Sequence, residues 1–467
     1  MQENSHTSSK PSSSVWQNIR SFYRSIIKHD GQGILVPLFG IILIGFFNGY
    51  SATYTTTLQG GDNWKPFWFL LGKQLVFLGA GILVAWRFYL FDYRKWADSK
   101  VQLKMFLFLL FLLLIVFLPF LGHGANGARR WIGLPYGMTL QPSEFAKLAA
   151  IIWAAYSIDR HVKKHGRMYL YEYYDWGGNT RLHGLWSWWN RVIGKLNALW
   201  KALRGTPGIF HPNLLVPAVF TVPFVYAFIT MFQPDMGTAV LIFSFPVIMT
   251  FCVGYYRGHR KYLGIAFGVV LAIAYPLIAF VSYRLERVRA YYDPWSDTTA
   301  NGYQVTQSIL SVSIGGFWGE GFTKGISKYN YLPEAHTDFA FSIFSQEFGL
   351  LGVCLVIFLF LWFTKYGLSI ARQSRDLLGQ VLAVGLTFFI TIQAFFNIAM
   401  VVGMLPVTGV PLPFISYGGS SLVTNFAVIG ILLNIARRNE YARKQIGTTR
   451  HLPSIGEETR HRFQPKS

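Results

Sequence analysis

The chain has 467 residues, of which 52% are hydrophobic, 17% aromatic and only 13% charged, a composition typical of an integral membrane protein. A chain of several soluble domains is excluded, because apolar runs recur from residue 34 to residue 436. The formal net charge of +21 would suit a nucleic-acid-binding protein, but the cations cluster between apolar runs, where the positive-inside rule explains them. We therefore predict no nucleic-acid partner.

Apolar runs of roughly 18 to 25 residues are long enough to cross the hydrocarbon core of a bilayer. They predict an all-α integral membrane protein with about ten transmembrane helices. The predicted spans lie near residues 34–54, 67–90, 103–121, 142–158, 213–231, 236–256, 262–283, 338–365, 378–403 and 420–436.

Basic residues set the predicted orientation, because they precede the first span and fill the connections after every second span. Both termini are then cytoplasmic, with an N-terminal tail over 1–33, a membrane domain over 34–437 and a C-terminal tail over 438–467. The long inner connection 159–212 contains an amphipathic segment that either lies in the headgroup plane or contacts a partner protein. Residues 284–338 form a large extracytoplasmic loop between the seventh and eighth spans.

The loop 284–338 contains the residues most suited to chemistry, because its acidic groups lie between two apolar runs and need polar surroundings. Asp293 precedes a proline and is predicted to form an Asx-type turn. Asp297 follows that turn, where a carboxylate can point into a cleft and act as a general base, and His336 is the loop's other candidate. An aspartate is a weak base, so burial against Tyr292 and Trp295 would have to raise its pKa.

The fourth span is predicted to begin at the outer boundary, with Pro142 at its first helical position and Glu144 at its third. Lys147 follows three residues later on the same helix face. A buried ammonium must find an anion, so two interpretations are open: a structural Glu144–Lys147 pair, or a polar cavity that opens outward. Trp131 is either an interface anchor or an apolar platform beside that cavity.

Two further segments interrupt the apolar pattern. FQPDMGT (232–238) is a short outer hairpin in which Asp235 is predicted to cap a helix. MLPVTGVPLPFISYGGSSL (404–422) is irregular backbone of the kind that lines a cavity or packs in protein at membrane depth, and its SYGGSS either cradles an anion or starts the last helix.

The candidates for substrate contact also include Arg130, Gln304, His336 and Ser416. The sequence has no Walker loop, HExxH, paired CxxC or dinucleotide fingerprint, so neither ATP coupling nor a metal site is predicted.

Five segments, in this order, resemble the SEDS family of FtsW, RodA and SpoVE: ARRWIGLPYGMTLQPSEFAKLA, FQPDMGTA, DPWSDTTANGYQVTQS, YLPEAHTDFAF and GMLPVTGVPLPFISYGGSS. The resemblance runs from about residue 34 to residue 440. The LPEAHTDF and LPFISYGGSS forms are more similar to the division and sporulation branch, FtsW and SpoVE, than to the elongation branch, RodA.

The resemblance implies a peptidoglycan glycosyltransferase of the bacterial cytoplasmic membrane. Such an enzyme polymerises lipid II into glycan strands on the outer face, in septal cell-wall synthesis, and releases undecaprenyl diphosphate. The implied partners are a class B penicillin-binding protein and other membrane proteins of the division machinery.

By position, the resemblance places the family's essential loop aspartate on Asp297, the acid and lysine of its central cavity on Glu144 and Lys147, and its outer-loop tryptophan on Trp131. A divalent cation, Mg or Mn, could bridge the diphosphate, but the sequence shows no dedicated ligand set.

Three alternatives remain at this stage. A flippase for the lipid-linked precursor would use Glu144 and Lys147 to line a translocation path. An elongation polymerase like RodA would share the chemistry but serve another process. A noncatalytic scaffold of the division machinery would tolerate substitutions in the cavity.

Overall fold

The structure, a computed structural model, describes residues 30–59, 65–118, 122–125, 128–135, 138–165, 218–252, 290–296, 301–329, 332 and 336–450. Within these residues the α-helices are α1 (Asp30–Gln59), α2 (Lys65–Leu90), α3 (Ser99–Ile115), α4 (Pro142–His165), α5 (Ala218–Phe232), α6 (Met236–Cys252), α7 (Asn301–Gly315), α8 (Ala340–Gln373), α9 (Leu377–Val401) and α10 (Gly419–Arg450). Two short 3-10 helices lie at Tyr93–Ala97 and Ile326–Lys328.

Helices occupy nine of the ten predicted spans, and the predicted span at 262–283 lies outside the described residues. Five helices of the described part are long and apolar enough to cross a membrane: Gly31–Ala52, Leu71–Leu90, Ala340–Gln373, Leu377–Val401 and Gly419–Arg443. The chain is therefore a helical protein with several membrane-spanning segments. The two tails up to residue 29 and beyond 450, and most of the connection 159–212, also lie outside the described residues.

Helix α7 lies within the predicted outer loop 284–338 and was not predicted. Its sequence, NGYQVTQSILSVSIG, mixes polar and apolar residues on every turn, so it is not an apolar run. Its polar side chains are used for packing, since Ser308 Oγ contacts Ser342 Oγ of α8 at 2.7 Å and donates to the carbonyl of Val401 of α9 at 2.8 Å.

The prediction of an all-α chain is wrong between α3 and α4, where three antiparallel strands form a sheet: β1 (Gly122–Ala125), β2 (Ala128–Leu134) and β3 (Met138–Leu140). A connection at the membrane boundary must pair its backbone groups, and strand pairing does so without a helix. Ala125 pairs with Ala128, which leaves two residues between the strands. Those two residues are Asn-Gly, the pair that favours a two-residue hairpin, so the signal was present in the sequence.

Helix α4 lies at the centre of the bundle, where it contacts α3, α5, α6, α9 and α10. The side chains of Ser143, Glu144, Lys147 and Asp159 are at most 3% exposed. Because protein rather than lipid surrounds this helix, charged side chains are tolerated inside it when they find partners.

Helix α8 is kinked at Gly349, where φ is 60°, a backbone conformation that favours glycine. The segment after α7 enters this kink and supplies partners for its backbone. The amide of Gly321 donates to the carbonyl of Glu347 at 3.0 Å, and the amide of Leu350 donates to the carbonyl of Gly316 at 2.9 Å. A Cβ on Gly349 would lie 2.4 Å from the backbone nitrogen of Gly319, so these two segments of the chain pack backbone against backbone.

A buried ion pair lies next to the kink. Lys328 Nζ is 2.8 Å from Glu347 Oε1, and Ser51 Oγ of α1 donates to the same carboxylate oxygen at 2.5 Å. Lys328 Nζ also donates to Ser51 Oγ at 2.8 Å. This cluster joins α1, α8 and the 3-10 turn at Ile326–Lys328.

Candidate functional site

The candidate site is built around the first two turns of α4. Lys147 Nζ lies 2.8 Å from Glu144 Oε1 and 2.6 Å from Gln393 Oε1 of α9. Lys147 and Gln393 are 0% exposed and Glu144 is 2% exposed. The ion pair expected from the three-residue spacing is therefore present, and in this conformation it is closed to solvent.

One acceptor of the cluster is unused. Glu144 Oε2 is buried and has no hydrogen-bond partner among the described residues. Gln393 is held in place because its amide donates to the carbonyl of Phe389 at 2.9 Å, and the Phe389 ring lies 5.5 Å from Lys147 Nζ. Buried polar atoms are rarely left without a partner, so the free carboxylate oxygen is suited to accept a hydrogen bond from another group.

Asp235 joins the start of α6 to the start of α4. The amide of Thr238 donates to Asp235 Oδ1 at 3.3 Å, which confirms the predicted helix cap. Asp235 Oδ2 accepts from Gln141 Nε2 at 2.9 Å and from Ser143 Oγ at 3.3 Å. Because Asp235 is only 2% exposed, this carboxylate fixes the two helix ends relative to each other.

The strand β2 places Arg130 and Trp131 beside the hairpin between α5 and α6. Arg130 donates from Nε to the carbonyl of Gln233 at 3.3 Å and from Nη2 to the carbonyl of Pro234. Its guanidinium lies 6.0 Å from the centre of the half-buried Trp131 ring. Arg130 is thus engaged with backbone carbonyls of the protein.

The irregular segment before α10 packs in protein. Asn397 Nδ2 of α9 donates to the carbonyls of Asp338 at 2.7 Å and Val410 at 2.8 Å. The amide of Tyr417 donates to the carbonyl of His336 at 3.0 Å. These bonds hold the segment that contains His336 against the segment that contains Ser416.

Ser416 and Ser420 have structural partners. Ser416 Oγ accepts from the backbone amide of Leu412 at 2.9 Å, and Ser420 Oγ accepts from the backbone amide of Gln141 at 2.9 Å. The start of α10 is thereby attached to the start of α4. Of the two interpretations of SYGGSS, the start of the last helix is present, since α10 begins at Gly419.

Two predicted residues, Gln304 and His336, form no hydrogen bond with this cluster in the described part of the chain. Asp297 lies outside the described residues, so its predicted role is not tested. Gln304 is half-buried in the first turn of α7, and His336 is exposed.

Asp293 lies in a turn, but its Oδ1 accepts from the backbone amide of Ser296, three residues on, at 3.2 Å, whereas the predicted Asx turn would accept two residues on. Tyr292 and Trp295, the rings against which Asp297 was expected to be buried, are 82% and 56% exposed. The burial itself is not tested, because Asp297 lies outside the described residues. Both rings lie on the surface, in or next to the turn at 294–296.

Gln393 was missed by the sequence analysis. It is a polar residue in the middle of the apolar run FFITIQAFFNIAM, and an intramembrane polar side chain is a signal for a functional or packing role. Among the described residues, no group of three or more His, Cys, Asp or Glu could hold a metal ion.

The model of the family of FtsW, RodA and SpoVE, described as cell cycle protein, matches residues 33–175 and 209–441. The chain belongs to this family. The two matched segments leave out residues 176–208, which lie inside the long predicted inner connection of this FtsW/RodA/SpoVE protein.

Curated relatives in the FtsW/RodA/SpoVE family support this assignment. The chain is 32% identical over 412 residues to a probable peptidoglycan glycosyltransferase FtsW of Geobacter sp. strain M18, with 87% of this chain and 95% of that protein covered. It is 32% identical over 417 residues to stage V sporulation protein E of Bacillus subtilis, with 89% and 99% covered.

A solved structure shares the fold. A chain of a peptidoglycan synthase complex that coordinates polymerization and crosslinking superposes with a TM-score of 0.60 and 22% identity, covering 87% of this chain and 97% of that one.

Proposed function

We propose that this FtsW/RodA/SpoVE protein is a peptidoglycan glycosyltransferase that polymerises lipid II on the outer face of the cytoplasmic membrane during septal wall synthesis. The observation that carries the proposal is the buried cluster of Glu144, Lys147 and Gln393 in a chain whose curated relatives are named as probable peptidoglycan glycosyltransferases. A cation kept inside a membrane protein is suited to a substrate with a diphosphate leaving group.

In the proposed reaction, Asp297 takes the proton from the C4 hydroxyl of a lipid-linked GlcNAc. The oxygen attacks the anomeric carbon of the growing chain, a new glycosidic bond forms, and the bond to the diphosphate breaks. Undecaprenyl diphosphate leaves with the bonding electron pair. A positioned carboxylate contributes to such a step by general-base catalysis.

Lys147 would offset the negative charge that develops on the departing diphosphate. Its ammonium is fully buried and already bonded to Glu144 and Gln393, so it can reach a substrate only after the pair opens. The unpartnered Oε2 of Glu144 provides an acceptor on the same cluster for a substrate hydroxyl.

We further propose a class B penicillin-binding protein as partner. Support comes from the shared fold with a chain of a peptidoglycan synthase complex, although at 22% identity that similarity concerns the fold. The division and sporulation branch is favoured over the elongation branch, because the reported curated relatives are FtsW and SpoVE proteins.

Polymerisation of purified lipid II by the purified protein with its partner tests the proposal. Asp297→Asn should abolish chain elongation while leaving the protein folded and partner-bound. Asp293→Asn is the matched control, because Asp293 is exposed and its bonds to other described residues lie within its own turn. It should retain activity.

Full activity of Asp297→Asn would overturn the assignment of the base. A wild-type protein that moves lipid II across vesicle membranes without lengthening glycan chains would be a flippase instead.

A further inference from the structure

A cavity of about 500 Å³ lies at one end of the bundle, between the start of α1 and the ends of α2, α8 and α10. The cavity is separate from the candidate site, because it lies toward the C-terminal ends of α8 and α10, whereas the kink at Gly349 and Ser420 lie toward their N-terminal ends. The same end carries the ion pair between Arg438 and Asp92, with an N–O distance of 3.0 Å. The positive-inside rule predicts that this basic end is cytoplasmic.

One wall of the cavity is apolar and continuous with the outer surface of the bundle. Leu35 of α1 is 45% exposed, Ile82 of α2 is 53% exposed, and Trp86 is 61% exposed. All three line the cavity and belong to helices that are long and apolar enough to span a membrane. A molecule in this cavity would therefore also contact the acyl chains of the bilayer, and tryptophan is typical of the boundary between chains and headgroups.

Two arginines of α10 line the polar side of the cavity. The Arg437 guanidinium lies 4.4 Å from the centre of the Tyr89 ring, and its Nε is buried without a hydrogen-bond partner among the described residues. Arg443 donates from Nη2 to Gln373 Oε1. Glu440 is the one carboxylate among the described lining residues, against two arginines. The lining thus has a positive excess and a buried donor that lacks an acceptor.

We propose that this cavity binds an anionic phospholipid of the inner leaflet, with its phosphate between Arg437 and Arg443 and its acyl chains along Leu35 and Ile82. Guanidinium groups match the geometry of a phosphate diester, and basic pockets between membrane helices select anionic headgroups. A lipid fits better than a soluble anion, because one wall of the cavity is apolar and faces the bilayer.

Native mass spectrometry of the full-length protein, with added phosphatidylglycerol or phosphatidylcholine, tests this proposal. The wild-type protein should retain phosphatidylglycerol preferentially. Arg437→Gln with Arg443→Gln should weaken phosphatidylglycerol binding by at least about tenfold, the loss expected for one charge-assisted hydrogen bond. The control pair, Arg372→Gln with Arg375→Gln, removes two exposed cations of the same bundle end that do not line the cavity.

A second variant leaves all charges in place. Ile82→Trp should fill the cavity and release the lipid, whereas Leu83→Trp, on the adjacent lipid-facing surface, should not. The proposal is overturned if phosphatidylglycerol retention is unchanged in both cavity variants, or if the control pair lowers it equally. Either result would leave the cavity to another occupant, such as the chain's own first residues.

Discussion

Lys328 Nζ lies 2.8 Å from Glu347 Oε1, and both side chains are completely buried. This is the second buried ion pair of the described structure, beside that of Glu144 and Lys147. The two pairs differ in connectivity: Glu144 and Lys147 lie on one helix, whereas Lys328 and Glu347 join a loop to a helix kink. Their substitution should therefore have different consequences.

Lys328→Met should destabilise the fold strongly, because it leaves the Glu347 carboxylate buried without its counter-charge. Removing one partner of a buried pair costs about 3–5 kcal/mol in the free energy of unfolding. The measurement is a denaturant titration of the purified protein in mixed micelles. Lys324→Met, an exposed lysine of the same segment, should change the free energy little. Equal stability of the two variants would contradict a structural role for the pair.

Substitutions in the Glu144–Lys147 pair should affect stability and glycan polymerisation differently. Lys147→Met alone should lower both, because Glu144 is then buried without a counter-charge. The double variant Lys147→Met with Glu144→Gln removes both charges and should recover most of the stability, yet glycan polymerisation should stay lost. The two readouts are unfolding in micelles and elongation of lipid II. Recovered polymerisation in the double variant would make the pair structural only.

Gly349→Ala should disturb the kink of α8. Its φ of 60° is unfavourable for a residue with a Cβ, and the added carbon would meet the backbone of Gly319 at 2.4 Å. Gly79→Ala is the matched control, because it lies in α2 and no atom of another described element lies within 4 Å of the added carbon. Alanine there should stabilise the helix by up to about 1 kcal/mol. The melting temperatures of both variants in detergent check the contrast, and a kink that accepts alanine without loss would refute it.

Asp235→Asn should weaken the connection between α4 and α6. The asparagine can still cap the helix through its side-chain oxygen. Its NH2 group, however, would face the NH2 group of Gln141, which in the wild-type protein donates to Asp235 Oδ2. The loss of a hydrogen bond to a charged group costs about 1.5–3 kcal/mol. The free energy of unfolding in micelles is compared between Asp235→Asn and the double variant Asp235→Asn with Gln141→Glu, and the difference measures the contribution of this hydrogen bond. No difference between single and double variants would show that Gln141 is not the relevant partner.

The sequence predicted the helical spans and the Glu144–Lys147 pair, because both depend on local pattern: apolar length in one case and helical spacing in the other. It did not predict the partners that come from distant segments. Gln393 reaches Lys147 across 246 positions of sequence, and Lys328 reaches Ser51 across 277. Such contacts depend on how the helices pack, and the apolar pattern is the same for many packings.

The strands were missed for a different reason. Strand β2, with ARRWIGL, has no clean alternation of polar and apolar residues, and β3 has only three residues. The Asn-Gly pair between Ala125 and Ala128 is the usable signal, because that pair favours a two-residue hairpin. Helix α7 was missed because its sequence is not an apolar run, and the role of a polar residue such as Ser308, which bonds to α8 and α9, depends on the packing of those helices.

The central place of α4 has a consequence for how the newly made chain enters the bilayer. Its buried lysine is bonded to Gln393, which leaves the ribosome almost 250 residues later. Until α9 has been synthesised, α4 carries its charges into hydrocarbon with only Glu144 as a local counter-charge. Such a helix is a poor candidate for stable insertion alone, so we expect α4 to reach its final position in the bilayer only after the C-terminal helices have been inserted.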